Sequence, residues 1–118
     1  MSEKDFNKHL INIFEKHGSL KKFKEGQLLC SFEYIPGNVF LIQKGDARLL
    51  GKINNKITTI EKIGPGGLIG VISLLRGQPS EEIRASKELI AWQITDAKFH
   101  ELFECNLDFR NYLNNFLF

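Results

Sequence analysis

At 118 residues, 42% of them hydrophobic and 25% charged, the chain has an ordinary globular composition and the length of one domain. A chain of this size buries roughly two-thirds of its unfolded surface, enough for one core without staples. A formal charge of +2 leaves no global case for nucleic acid, no apolar run reaches the length of a membrane span, and the opening Met1-Ser2-Glu3-Lys4-Asp5 lacks the pattern of a signal peptide. Cys30 and Cys105 stand far apart with no metal-type spacing, so the expectation is two reduced, buried thiols in a cytoplasmic protein.

In chain order, Ser2 to His17 reads as a helix. Phe6, Leu10, Ile13 and Phe14 recur at helical spacing, Ser2 and Asp5 have the form of a capping box, and Gly18 stands where a helix ends. His9 and His17 are expected on its solvated side. From Leu20 the pattern changes to short runs with turn signals about every eight to twelve residues, the spacing of an all-β sandwich or barrel. Leu20–Phe23 and Gln27–Ser31 are strands around the turn Lys24-Glu25-Gly26. Ile35-Pro36-Gly37-Asn38 is a second turn, and Val39–Lys44 is a continuous apolar strand. Asp46–Ile53 and Lys56–Ile63 flank Asn54-Asn55, a two-residue hairpin turn that exploits the tolerance of Asn for positive φ. Lys21, Lys22 and Lys24 read as the wet face of an edge strand, where lysine also blocks edge-to-edge pairing.

The stretch from Ile63 to Ala85 is the most informative. Four of the ten glycines, Gly64, Gly66, Gly67 and Gly70, precede a short apolar run from Val71 to Leu75; Gly77 and Pro79 follow. This is a glycine turn feeding the start of a short helix, where free backbone N–H groups and the positive end of the helix dipole favour an anion. Glu82–Ala85 and Leu89–Ile94 are the last strands, and Trp92 is expected to pack in the core or at the barrel mouth. Thr95 caps a helix that carries Phe99, Leu102 and Phe103, and Asn106 or Asp108 opens a final one. Catalytic signals are thin. All three histidines fall in predicted helices, and no G-x-S-x-G, C-x-x-C or H-E-x-x-H occurs. No catalytic residue, metal ligand or cofactor is therefore assigned, and the chain is read as a non-enzyme.

The order Gly66, Gly70, Ile72, Ser73, Leu74, Leu75, Pro79, Ile83, Ala85 resembles the phosphate-binding cassette of the cyclic-nucleotide-binding domain family, approximately G-x-x-F-G-E-[aliphatic]-[AS]-[aliphatic]-[aliphatic]-x-x-x-P-R-x-A-x-[VI]-x-A. Phe23-Lys24-Glu25-Gly26-Gln27-Leu28-Leu29 and Val39-Phe40-Leu41-Ile42-Gln43-Lys44-Gly45 resemble two further segments of that family, so the likeness runs from Leu20 to about Phe103. The resemblance implies one domain over residues 1–118. It is mainly β, an eight-stranded β-roll or jelly roll (double-stranded β-helix) over 19–94 with its cassette at 64–85, an N-terminal helix over 1–18 and two C-terminal helices over 95–118. It also implies a degenerate ligand site at Gly66, Gly67, Gly70, Val71, Ile72, Ser73, Ser80 and Arg84. The family's ribose-binding glutamate falls on Val71, its phosphate-binding arginine falls on Ser80, and the segment from Pro79 to Ala85 is one residue short. Serine cannot replace a guanidinium fork against a cyclic phosphate. Losing one partner of a buried charge pair costs about 2–5 kcal/mol, which is about one and a half to three and a half decades of affinity. Glu81 and Glu82 add negative charge near the same loop, and Arg84 is the leading substitute cation.

The function expected from the resemblance is a regulatory, ligand-sensing or interaction domain that does not hold cyclic AMP or cyclic GMP in the usual way. It would serve as an N-terminal module controlling an attached transporter, transcription factor or kinase. A sensor that takes a cyclic nucleotide or another small anionic effector weakly through a rearranged cassette stays open beside it, as does a jelly-roll enzyme. Neither nucleic-acid binding nor a membrane span is expected of this chain. Phe109, Tyr112, Leu113, Phe116, Leu117 and Phe118 form a wide apolar stripe at helical spacing. Packing onto the barrel accounts for Phe109 and Leu113, but Phe116, Leu117 and Phe118 together are three consecutive helical residues that span about 200° of circumference, so this end is expected to form a homodimer contact or to continue into an effector.

Overall fold

A computed structural model describes the backbone of residues 3–117 and the side chains of residues 8–114. Helix α1 (Glu3–His17) leads into strands β1 (Ser19–Phe23), β2 (Leu28–Cys30), β3 (Asn38–Lys44), β4 (Ala47–Ile53), β5 (Lys56–Ile63) and β6 (Leu68–Ile69). The short helix α2 (Val71–Arg76) follows, then β7 (Glu82–Ala85), β8 (Leu89–Thr95), α3 (Asp96–Cys105) and α4 (Leu107–Leu117). The strands form two four-stranded sheets in the orders β1-β8-β3-β6 and β2-β7-β4-β5, and every pairing is antiparallel. This is the expected β-roll with flanking helices. The eighth strand, β6, is two residues long and has no sequence signal of its own.

The apolar run of β3 is explained by its position. Alternate side chains of a strand point to opposite faces. Val39 and Leu41 enter a core shared with Leu10 and Phe14 of α1, Phe99 of α3, and Phe109 and Leu113 of α4. Phe40 and Ile42 enter a second core between the sheets, with Phe23, Leu29, Cys30, Ile69, Ile83 and Leu89. Within it the rings of Phe23 and Phe40 meet edge to face at 5.3 Å. The strand is apolar throughout because both faces are covered.

The local signals act where expected. Asn54 and Asn55 have φ of 52° and 65°, the two positive values that a two-residue hairpin with right-twisted strands requires. The Thr95 hydroxyl accepts from the Lys98 N–H at 3.1 Å, and the Asn106 side chain accepts from the Phe109 N–H at 3.0 Å. The Asn106 N–H also donates to the Leu102 carbonyl, so Asn106 closes α3 and opens α4. The Gly18 N–H donates to the Phe14 carbonyl at the end of α1. On β1, an edge strand, Lys22 pairs with Glu88 and Lys21 lies over the Phe23 ring.

Several expectations are corrected. Cys105 is exposed, because it ends α3 on the face turned from the core; only Cys30 is buried. His9 and His17 are half-buried. The second strand shortens to Leu28–Cys30 because a bulge interrupts its pairing with β7, and Ser31 bridges to Tyr34 instead. Phe109 and Leu113 are fully buried in the chain's own core, since the α4 stripe meets α1, α3 and β3 there, and neither is free to meet a partner. Tyr112 packs half-buried beside them. The Ser2 cap, Phe118 and the side chains of Phe6, Phe116 and Leu117 lie outside the described residues.

Phe99 sits at the crossing of the helices, its ring 5.9 Å from that of Phe109 and 6.1 Å from that of Phe103. Phe99→Ala is expected to lower the unfolding free energy by about 3–5 kcal/mol in urea titration. Leu107→Ala, at a position 60% exposed, is expected to change it by about 0.5 kcal/mol or less.

Candidate functional site

The cassette begins with a turn. The Gly67 N–H donates to the Gly64 carbonyl at 3.0 Å across Pro65 and Gly66, and Gly66 has φ +88°. Proline at the second position and glycine with positive φ at the third make this a type II turn. The turn is stitched to β3: the Gly66 N–H donates to the Ile42 carbonyl, and the Ile42 N–H donates to the Gly67 carbonyl. The amides of Gly66 and Gly67 are thus consumed by the backbone.

Gly70 then reverses the chain into α2. Its φ is +96°, and a Cβ at this position would lie 3.0 Å from the Asn38 carbonyl oxygen, so both conformation and space favour glycine. Its carbonyl accepts from the Leu74 N–H. At the other end Gly77 is left-handed at φ +68°, and its N–H and that of Gln78 donate to the Leu74 and Ser73 carbonyls. The buried Ser73 hydroxyl accepts from the Ser80 N–H at 3.0 Å, and the Ser80 hydroxyl donates to the Gln78 carbonyl. Ser73 therefore ties the loop after α2 back onto the helix.

The residues expected to line a ligand do not all converge. Val71, at the glutamate position, is 3% exposed and points into the core beneath the helices. Ile72 lines a cavity of about 370 Å³ together with Leu49, Ile63, Pro65, Leu68 and the backbone of Gly67. Arg84 is elsewhere. Along β7, Ile83 and Ala85 face the inter-sheet core, so Glu82 and Arg84 face the other way. The Arg84 guanidinium donates to the Gly26 carbonyl at 3.0 Å, and the side chain lines a separate cavity with Phe32, Ile57 and Glu82.

The acid before β7 that lines the cavity is Glu81, in the loop just ahead of the strand. Burial pushes its carboxyl above the ordinary carboxylate range. The Ser73 backbone N–H and the charge of Arg76 pull it back by less. Its Oε1 atom is buried and has no hydrogen-bond partner. Glu61 and Lys62 also line the cavity. Cys30 lies nearby, its Sγ 3.6 Å from where a Gly70 Cβ would stand. Burial, with the negative Glu81 second, pushes its thiol up to about 12, so it packs as a neutral group and is no nucleophile. Two adjacent acids were visible in the sequence. Only Glu82 belongs to β7, where alternation turns it from the inter-sheet core; Glu81 is placed by the loop before the strand. Among the described residues no group of three histidines, cysteines or acids could hold a metal ion.

The family model of the cyclic nucleotide-binding domain matches residues 20–106. Among solved structures, the Thermus thermophilus catabolite activator protein superimposes with a TM-score of 0.79 at 17% identity, over 92% of this chain and 52% of that one. The regulatory subunit of a cAMP-independent protein kinase A from Trypanosoma brucei gives 0.72 at 12% identity, over 86% and 38%. A protein from a cyclic-GMP-dependent signalling pathway that regulates bacterial phytopathogenesis gives 0.75 at 18% identity, over 99% and 91%. This chain spans about half the length of the first of these and less of the second. At such identities the likeness carries the fold. No curated protein matches by sequence.

The buried carboxyl has a stability consequence. A Glu whose folded pKa is raised binds its proton more tightly when folded, so its contribution to stability falls as pH rises through the folded pKa. Glu81→Gln is therefore expected to raise Tm at neutral pH, with the gain vanishing as pH falls to about 4, near the ordinary carboxylate value. Thermal melts of both proteins across that range check this; a difference that stays constant with pH would contradict it.

Proposed function

Because the chain belongs to the cyclic nucleotide-binding domain family, we propose that it is a regulatory domain that does not hold cyclic AMP or cyclic GMP in the family's usual way. The observation that carries this reading is Glu81. Its carboxyl approaches the Ser73 N–H at the helix start, where a bound cyclic phosphate would need the same kind of donor. No arginine lines the cavity, and its one lysine, Lys62, is offset by Glu61 and Glu81. A cyclic phosphate there would meet a carboxylate in place of a guanidinium fork. Val71 supplies no acceptor for a ribose hydroxyl. Of the remaining expected contacts, Gly70, Ile72 and Ser73 stay in this reading as the cassette's frame.

The domain acts without catalysis, on the cytoplasmic side, through an attached effector or partner. The fold supports a signalling role, because α2 touches both the cavity and the helical layer. Among the described residues no helix is long and apolar enough to cross a membrane. The partner contact falls to Tyr112 and to Phe116, Leu117 and Phe118 beyond it, as a homodimer or as the junction with an effector.

Isothermal titration of the 118-residue chain with cyclic AMP and cyclic GMP is expected to show no saturable binding at low micromolar concentration. One-to-one micromolar binding would overturn the reading, and Arg84→Ala would then test the substitute cation. For the partner contact, light scattering after size exclusion is expected to give a dimer that Phe116→Ser and Phe118→Ser dissociate, if this end pairs with its copy. A monomer at high concentration instead leaves the effector junction.

A further inference from the structure

We infer that the β4–β5 hairpin is an arm that binds a second copy of this chain, laying its isoleucines and lysines on that copy's α3–α4 junction. The inference goes beyond the reading above, which leaves the partner open, and it does not depend on the cassette. β5 is exposed on both faces over residues 56–62. Ile53, Ile57 and Ile60 are 56%, 64% and 60% exposed. A two-stranded hairpin is marginal in water unless something packs on it, and exposed apolar residues gathered in one place mark an interaction surface. Another β5 strand is a poor occupant. Ile60 is an extra residue bulged out of the pairing with β4, between Glu61 opposite Leu49 and Thr59 opposite Leu50. Lys56 and Lys62 stand on either side of it. Bulges and lysines are the devices that keep strand edges from pairing.

Charge selects the occupant. The exposed charges of the arm are Lys52, Lys56 and Lys62 against Glu61. The terminal helices carry the opposite balance. Asp96, Glu101, Glu104 and Asp108 are exposed there, while Lys98 and Arg110 are half-buried and Lys98 is already paired with Glu101. Leu107, 60% exposed between Glu104 and Asp108, gives that surface an apolar centre for the isoleucines. Within one chain the two surfaces do not cover each other, since the three isoleucines and Leu107 are all more than half exposed. The arm extends the sheet β2-β7-β4-β5, whereas α3 packs on β3 and β8 of the other sheet. A contact between arm and helices therefore joins two copies. Two-fold symmetry repeats it, each arm on the other copy's helices, and this reciprocal pairing closes as a dimer. Complementary charge fixes the register and suppresses an arm-to-arm alternative, in which lysine would meet lysine.

Cys105 stands in the acceptor surface and is exposed, while Cys30 is buried, so one thiol added to the arm reads the contact. The 118-residue chain carrying Ile57→Cys is oxidised mildly, and any covalent dimer is mapped by peptide mass spectrometry. A disulfide between positions 57 and 105 of different copies is expected, and Cys105→Ser is expected to abolish it. Links that join mainly 57 to 57 or 105 to 105, or no covalent dimer, would overturn the inference. Sedimentation equilibrium supplies a second readout on exposed positions, with folding confirmed by melts. Lys56→Glu alone and Glu104→Lys alone are each expected to weaken the dimer at least about tenfold, and the two together to restore it to within about threefold of the unaltered chain. An unaltered chain that stays monomeric at high concentration, or a double variant no tighter than the single ones, would overturn the inference. So would a dimer that Phe116→Ser and Phe118→Ser dissociate and Lys56→Glu leaves intact, because that result places the contact at the chain's end. The functional reading is separate from all of these outcomes and falls only on micromolar binding of cyclic AMP or cyclic GMP.

Discussion

Strand β3 is buried on both faces, and the rest of the molecule is arranged around that constraint. Val39 and Leu41 need an apolar cover on one side, and Phe40 and Ile42 need one on the other. The first cover is the helical layer from both ends of the chain, and the second is the sheet β2-β7-β4-β5. Residues far apart in sequence are thereby brought to one strand: Leu10 and Leu113 to one side, Leu29 and Ile83 to the other. Each pairing is long-range, so the fold depends on burial distributed over the whole chain more than on any local element.

The cassette is built into the same arrangement. Its turn is hydrogen-bonded to Ile42 of β3, and β6 pairs with Phe40 and Leu41. Its helix sends Val71 and Leu74 into the helical core while Ile72 faces the cavity. Val71 and Leu74 of α2 share one buried cluster with Phe99, Phe109 and Leu113 of the terminal helices.

Glu81 carries a cost in stability. An aliphatic residue of similar size would satisfy the pocket better than a carboxyl with a buried, unpartnered oxygen. Buried unsatisfied groups are rare in folded proteins. By contrast, the departures at Val71 and Ser80 leave nothing unsatisfied. Val71 joins the core, and Ser80 closes a turn with Gln78 and Ser73.

Much of this was legible in the sequence by itself. The helix caps at Thr95 and Asn106, the Asn54-Asn55 turn, the glycine reversal before Val71 and the apolar run of β3 are local signals, set by side-chain hydrogen bonding, allowed φ and period. They predicted the elements and an all-β sandwich or barrel, and the resemblance to the cyclic-nucleotide-binding family predicted the β-roll. The tertiary structure decided what depends on relative placement. A two-residue strand at Leu68–Ile69 exists only because β3 offers it a partner. Cys105 is exposed and Cys30 buried because of where each element lies, although the two residues are chemically alike. Arg84 turns away from the inter-sheet core with Glu82 through the period of β7, whose first residue no local signal marks, since one step of register exchanges the two faces.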